Sequence, residues 1–161
     1  MKKEHKTHKI APKEYLNVLH DVELLKMGFL EIKSKLYPEN LSDATIDVNT
    51  DNKVQINTVD KNKILAAVDT YLINATIDKK KIFDIEIKLL AIFECRAELS
   101  KEFLDLFEKN TLKVIVYPYV RQTVQDLTSK MGIEPFIMPM WRVPSGAKKE
   151  LLKPSQKRIR N

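Results

Sequence analysis

Eight apolar residues occupy consecutive odd positions: Phe83, Ile85, Ile87, Leu89, Ala91, Phe93, Cys95 and Ala97. Between them stand Asp84, Glu86, Lys88, Leu90, Ile92, Glu94 and Arg96. Successive side chains of a strand point to opposite faces, so a period of two over this length predicts a long, half-buried antiparallel strand. A helix would scatter the same residues around its circumference. Leu90 and Ile92 interrupt the polar face in its middle. That predicts an apolar patch on the outer side, covered by another subunit or a loop.

A strand of this kind needs neighbours. Residues 65–77 supply one, with Tyr71, Ile73, Ala75 and Ile77 alternating after Leu65, Ala67 and Val68. The charged connector Asp78-Lys79-Lys80-Lys81 makes the two a natural hairpin. Upstream, Leu25, Met27, Phe29 and Ile32 read as a first strand with a bulge or face change near Leu30, broken by Pro38-Glu39-Asn40. A short helix is expected before it, from Tyr15 to Leu25. Ile46-Asp47-Val48 and Val54-Gln55-Ile56 flank Asn49-Thr50-Asp51-Asn52, a run that predicts a hairpin or long loop.

Helices follow the strands. Ser100 is a good N-cap for Lys101 to Phe107, and Lys109-Asn110-Thr111 interrupts. Leu112, Ile115, Val116, Tyr119, Val120, Thr123, Val124, Leu127 and Met131 then recur with the helical period. Pro118 removes one backbone donor inside that helix, and Gly132 ends it. Four or so antiparallel strands first and helices last predict an α+β fold.

The length of 161 residues fits one domain with a real core. The net charge of +6 is unevenly spread. Residues 1–13 carry net +4, residues 142–161 net +6, and the intervening body net −4. The organisation expected is a flexible basic arm at 1–13, a domain over 14–144 and a basic tail at 145–161. Basic ends of this sort are solvated termini or bind nucleic acid or anionic lipid, while the body has no basic stripe for a groove. No apolar run is long enough to span a membrane, and no apolar segment backs Met1–Lys6 as a secretory leader would require. Cys95, the only cysteine, leaves no internal disulfide. A cytoplasmic protein is expected.

The chain lacks a phosphate-binding glycine loop of either common type. His5 and His8 lie in the basic arm, His20 has Asp21 beside it but no nucleophile, and Asp84, Glu86, Glu94 and Glu98 fall on the polar side of a strand. No cofactor, no metal and no enzymatic activity are expected. What remains is the strip Pro135-Phe136-Ile137-Met138-Pro139-Met140-Trp141. It either packs over the helix of its own domain or forms the wall of a groove for extended apolar peptides. Met138 and Met140 suit varied partners, and Phe136 and Trp141 offer large contact area.

The run Val116-Tyr117-Pro118-Tyr119-Val120-Arg121, followed by Leu127, Gly132 and the Pro135–Pro139 segment, resembles the SecB export chaperones. Members of that family carry a Phe-Pro-Tyr-Ala-Arg helix and then a proline-containing apolar segment. The strand Ile82–Ala97 is similar to the strand that leads into that helix. The resemblance covers residues 65–141. It implies a four-stranded antiparallel sheet with helices on one side and a homotetramer built as a dimer of dimers. It also implies an ATP-independent holdase for unfolded chains. Phe136, Ile137, Met138, Met140 and Trp141 would line the client groove with Phe103, Leu104 and Phe107. Pro118, Tyr119 and Arg121 would join Leu90 and Ile92 at subunit contacts.

The chain departs from that pattern at its end, which is basic where familiar members are acidic. Docking to the SecA motor, which uses acidic sheet residues, has no residue-by-residue match here. Three readings follow. The first is a chaperone for unfolded or newly made polypeptides in export or general folding. The second is a SecB-like chaperone dedicated to one partner, such as the antitoxin of a toxin–antitoxin system. The third is nucleic-acid binding through the basic tails.

Overall fold

The computed structural model describes residues 10–42, 46–60 and 63–141. Most of the basic arm and the whole tail 145–161 lie outside the described residues. Four strands, β1 (Val22–Leu36), β2 (Asp47–Val59), β3 (Ile64–Ile77) and β4 (Lys80–Cys95), form one antiparallel sheet in the order β1-β4-β3-β2. Helix α1 (Pro12–His20) precedes it, and α2 (Lys101–Leu106) and α3 (Leu112–Lys130) follow.

The alternation read from the sequence is the register of the sheet. Phe83, Ile85, Ile87, Leu89, Ala91, Phe93 and Cys95 are all buried on one face of β4, while the even positions from Asp84 to Glu94 are half-buried. The odd residues of β3 from Leu65 to Ile77 share that face. β3 and β4 meet in a two-residue turn, Asp78 and Lys79, both with positive φ (48° and 66°). Such a turn matches the twist of the strands it joins.

β1 carries two register shifts against β4, one between Leu24 and Lys26 and one between Phe29 and Glu31. The second is the face change expected near Leu30. Helix α1 is shorter than the expected span to Leu25. It ends at His20, and Val22 is already paired with Cys95. The largest correction is β2. The run Asn49-Thr50-Asp51-Asn52 is not a turn but the middle of one strand, paired with Asn74, Ile73, Leu72 and Tyr71. Local turn preference is overridden by thirteen residues of pairing with β3. The Asn52 amide also donates to the buried carboxylate of Asp69.

On the outer face, Leu90 and Ile92 are half-buried, opposite Gly28 and Lys26 on β1 and Val68 and Ala66 on β3. Charge pairs flank this patch. Glu31 bridges Lys33 at 2.7 Å and Lys88 at 2.6 Å, and Lys88 reaches Glu86 at 3.2 Å.

The Ser100 hydroxyl accepts from Phe103 N at 3.1 Å and caps α2. Lys109-Asn110-Thr111 does not break the chain away from the helix. It sits in a widened, π-helical turn over Phe107–Thr111 that runs straight into α3. Leu112, Val116, Val120, Val124 and Thr128 bury one stripe of α3, four residues apart. Gly132, at φ 75°, ends it in the left-handed conformation.

Candidate functional site

After Gly132 the chain turns back and runs along α3 in an irregular segment through Trp141. Side chains of α3 hold its backbone. The Thr128 hydroxyl accepts from Phe136 N at 2.9 Å while itself donating to the Val124 carbonyl. Arg121 Nε donates to the Met138 carbonyl at 2.8 Å, and the Tyr117 hydroxyl donates to the Pro139 carbonyl at 2.6 Å. Tyr117, Arg121 and Thr128 are spaced by four and seven residues, which places them on one side of the helix. Burial pushes the Tyr117 phenol above its ordinary range, with Arg121 opposing, so the hydroxyl keeps the proton it donates.

The segment divides its side chains between inside and outside. Met138 is buried in the core, and Phe136 is half-buried against it. Ile137, Met140 and Trp141 remain 53, 75 and 40% exposed. The strip therefore packs over its own domain through Phe136 and Met138 and leaves Ile137, Met140 and Trp141 at the surface. Trp141 packs on Tyr117 with ring centroids 5.9 Å apart.

Two depressions flank this segment, one apolar and one mixed. A cleft of about 330 Å³ lies between α3 and the end of the segment, lined by Val114, Tyr117, Pro118, Arg121, Met140 and Trp141. A wider groove of about 730 Å³ opens on the other side. Leu41, Ile46 and Val48 from the β1–β2 region, Phe83 from β4, and the segment Ile133–Ile137 line it, with Ser42 and Glu134 as its polar members. Leu41 and Ile46 are exposed there. Neither residue is a candidate from sequence, because an isolated Leu or Ile in a connection has no periodicity to place it.

Three residues expected to line a groove are elsewhere. Phe103 and Phe107 are fully buried, and Met138 joins them in the core. Phe103 and Phe107 lie four residues apart on one helix face. They stack on each other at 5.7 Å, Phe107 meets Phe93 edge-on at 5.1 Å, and Phe103 meets Tyr15 at 5.1 Å. They fasten the helix to the sheet and present no surface to a client. Leu104 is half-buried. Of the residues expected at subunit contacts, Pro118 and Tyr119 are exposed, Arg121 is half-buried, and Leu90 and Ile92 lie on the opposite side of the molecule.

The sequence reading also missed a buried ion pair. Lys113 on α3 meets Asp69 on β3. Polar residues so far apart in the chain carry no local signal of pairing.

Among the described residues no group of three or more His, Cys, Asp and Glu side chains gathers as metal ligands, and Cys95 is buried, its thiol pushed up by desolvation. No described helix is long and apolar enough to cross a membrane.

Comparison with known proteins agrees with this architecture. The protein-export protein SecB of Methylobacillus flagellatus is 28% identical over 75 residues, 47% of this chain. The match spans about half the length of that curated relative. Among solved structures, a SecB-like chaperone of Mycobacterium tuberculosis, in complex with a peptide from the HigA1 antitoxin, superposes with a TM-score of 0.69. The two share 12% identity, and the match covers 78% of this chain and 95% of that one, a likeness of fold. The family model described as preprotein translocase subunit SecB matches residues 18–140, and the chain belongs to the SecB family.

Proposed function

We propose that this chain is an ATP-independent holdase that binds extended apolar segments of unfolded polypeptides beside the Ile133–Trp141 segment. The observation that carries the reading is an apolar cleft and a larger, mixed groove beside one pinned segment whose Ile137, Met140 and Trp141 stay exposed. An exposed apolar surface of this kind marks a site for another chain. Phe136, Ile137, Met140 and Trp141 contact the client, with Leu41 and Ile46 from the opposite wall. Each contact is weak, and affinity accumulates along an extended client.

The working unit is a homo-oligomer, a dimer of dimers. Edge strand β1 supports this, because Leu24, Leu25, Phe29, Leu30 and Ile32 are all more than 40% exposed along it. A long apolar edge is a template for pairing unless another copy covers it. Tyr119 and Val114, each 52% exposed on α3, supply a second contact.

A second reading, dedication to one antitoxin-like partner, draws on the complex held by the Mycobacterium tuberculosis neighbour. The basic ends that nucleic-acid binding would use lie largely outside the described residues.

The test is a titration of Trp141, the chain's only tryptophan, with reduced, alkylated, tryptophan-free polypeptides of unrelated sequence. A salt-resistant blue shift with each unfolded chain, and mutual competition between them, is expected. A response to the folded form alone, or none, overturns the holdase reading. Response to a single sequence among many selects the dedicated partner.

A further inference from the structure

We infer that Tyr117 and Arg121 are positioning residues for client binding, a two-point latch that sets where the segment 136–141 lies on α3. This rests on the holdase reading above and adds what holds its site in shape. The latch takes main-chain carbonyls only: Met138 through Arg121 Nε and Pro139 through the Tyr117 hydroxyl. It makes no use of the side chains of Ile137, Met140 or Trp141, which are left outward for a client. Pro139 has no N–H, so its carbonyl is the one main-chain hydrogen-bonding group the helix can grip there. Thr128 sets the third point, at Phe136 N.

Beyond Pro139 the wall of the narrower cleft is Met140 and Trp141, and its floor is α3 itself. The width of that cleft is therefore the distance the two latch bonds impose. Tyr117 is sandwiched, its ring 6.2 Å from Tyr71 on the core side and 5.9 Å from Trp141 on the outer side. The motif this helix resembles carries phenylalanine where Tyr117 stands, so the hydroxyl is a group this chain adds, and Tyr117→Phe removes the latch bond while keeping the ring. A preformed wall spares a client the ordering cost of assembling it.

The experiment uses the full chain as wild type, Tyr117→Phe, Arg121→Met and the double variant. Two quantities are read: acrylamide quenching of Trp141 without client, and the Kd for a reduced, alkylated, tryptophan-free polypeptide. Losing two hydrogen bonds of ordinary strength is expected to raise the double variant's Kd about tenfold, with about threefold for each single variant. Trp141 quenching is expected to rise in the same order, a signature that a purely core role for Tyr117 would not produce.

Unchanged quenching in the double variant overturns the latch and leaves Met138 packing as what holds the segment. Raised quenching with an unchanged Kd overturns the role in client binding while the latch itself stands. A wild type that binds no unfolded polypeptide, in a protein whose double variant still shows raised quenching, removes the holdase reading rather than the latch.

Discussion

Lys113 Nζ stands 3.2 Å from each carboxylate oxygen of Asp69, and both side chains are buried between α3 and β3. Burial pushes the Asp69 carboxyl above its ordinary range and the Lys113 ammonium below its own, while their mutual attraction opposes both shifts. The Asn52 amide supplies Asp69 with another donor, and the ammonium lies 5.1 Å from the centre of the Tyr71 ring. Removing one partner strands the other as an unpaired buried charge. Lys113→Met is therefore expected to cost ~3–5 kcal/mol in urea unfolding. Adding Asp69→Leu should recover most of that loss. A double variant no more stable than the single one would show that the pair is not coupled.

The charge cluster on the outer face makes a prediction in pH. Lys33 and then Lys88 hold the Glu31 carboxyl down at about 2, against an ordinary 4.5. A carboxyl depressed in the folded state contributes stability above its unfolded value and loses it as pH falls through the folded one. The contribution is expected in full above pH 4.5 and to fade towards pH 2. Glu31→Gln should flatten the dependence of the melting temperature on pH across that window, and 1 M salt should weaken the effect. Equal slopes in variant and wild type would refute the assignment.

Left-handed backbone positions give opposite expectations. Gly132 has φ 75° with open space where a Cβ would sit, so Gly132→Ala should cost about 1 kcal/mol through backbone strain alone. Lys79, at φ 66° in the β3–β4 turn, bears a side chain where glycine is preferred. Lys79→Gly is expected to stabilise by roughly 0.5–1 kcal/mol. Denaturant midpoints at unchanged m-values check both.

Phe107 and Ile137 separate core from surface. Phe107→Ala leaves a cavity against Phe93 and Phe103 and is expected to cost about 3–5 kcal/mol. Ile137→Ala should stay within about 0.5 kcal/mol, since the side chain is already exposed. If Ile137→Ala weakens client binding at unchanged stability, the exposed row is the contact surface. Trp141→Ala with Met140→Ala extends the same test, whereas Met138→Ala would open the core instead.

Edge strand β1 is tested by charge. Leu30→Glu with Ile32→Lys places unlike charges on an exposed edge and should shift the sedimenting species to smaller size while the circular dichroism is kept. Sedimentation unchanged from wild type would remove β1 from the subunit contact.

The hairpin of β3 and β4 and the long helix were legible because their signals are periodic and local. The odd positions of β4 and the stripe from Leu112 to Val124 repeat at the spacing their backbones demand, and Ser100 and Gly132 mark ends through their own chemistry. Even the proline-flanked segment stood out by its apolar content.

What the sequence by itself determined, then, is which residues share a face and where regular structure starts and stops. Only the tertiary structure decided that Asn49–Asn52 runs through a strand, that Phe103 and Phe107 turn inward, and that Met138 is buried while Met140 is not. It alone paired Lys113 with Asp69 and set Tyr117 and Arg121 on the carbonyls of Pro139 and Met138. Those outcomes depend on contacts between residues far apart in the chain and on main-chain carbonyls that every residue possesses. Neither leaves a mark in the local order of side chains.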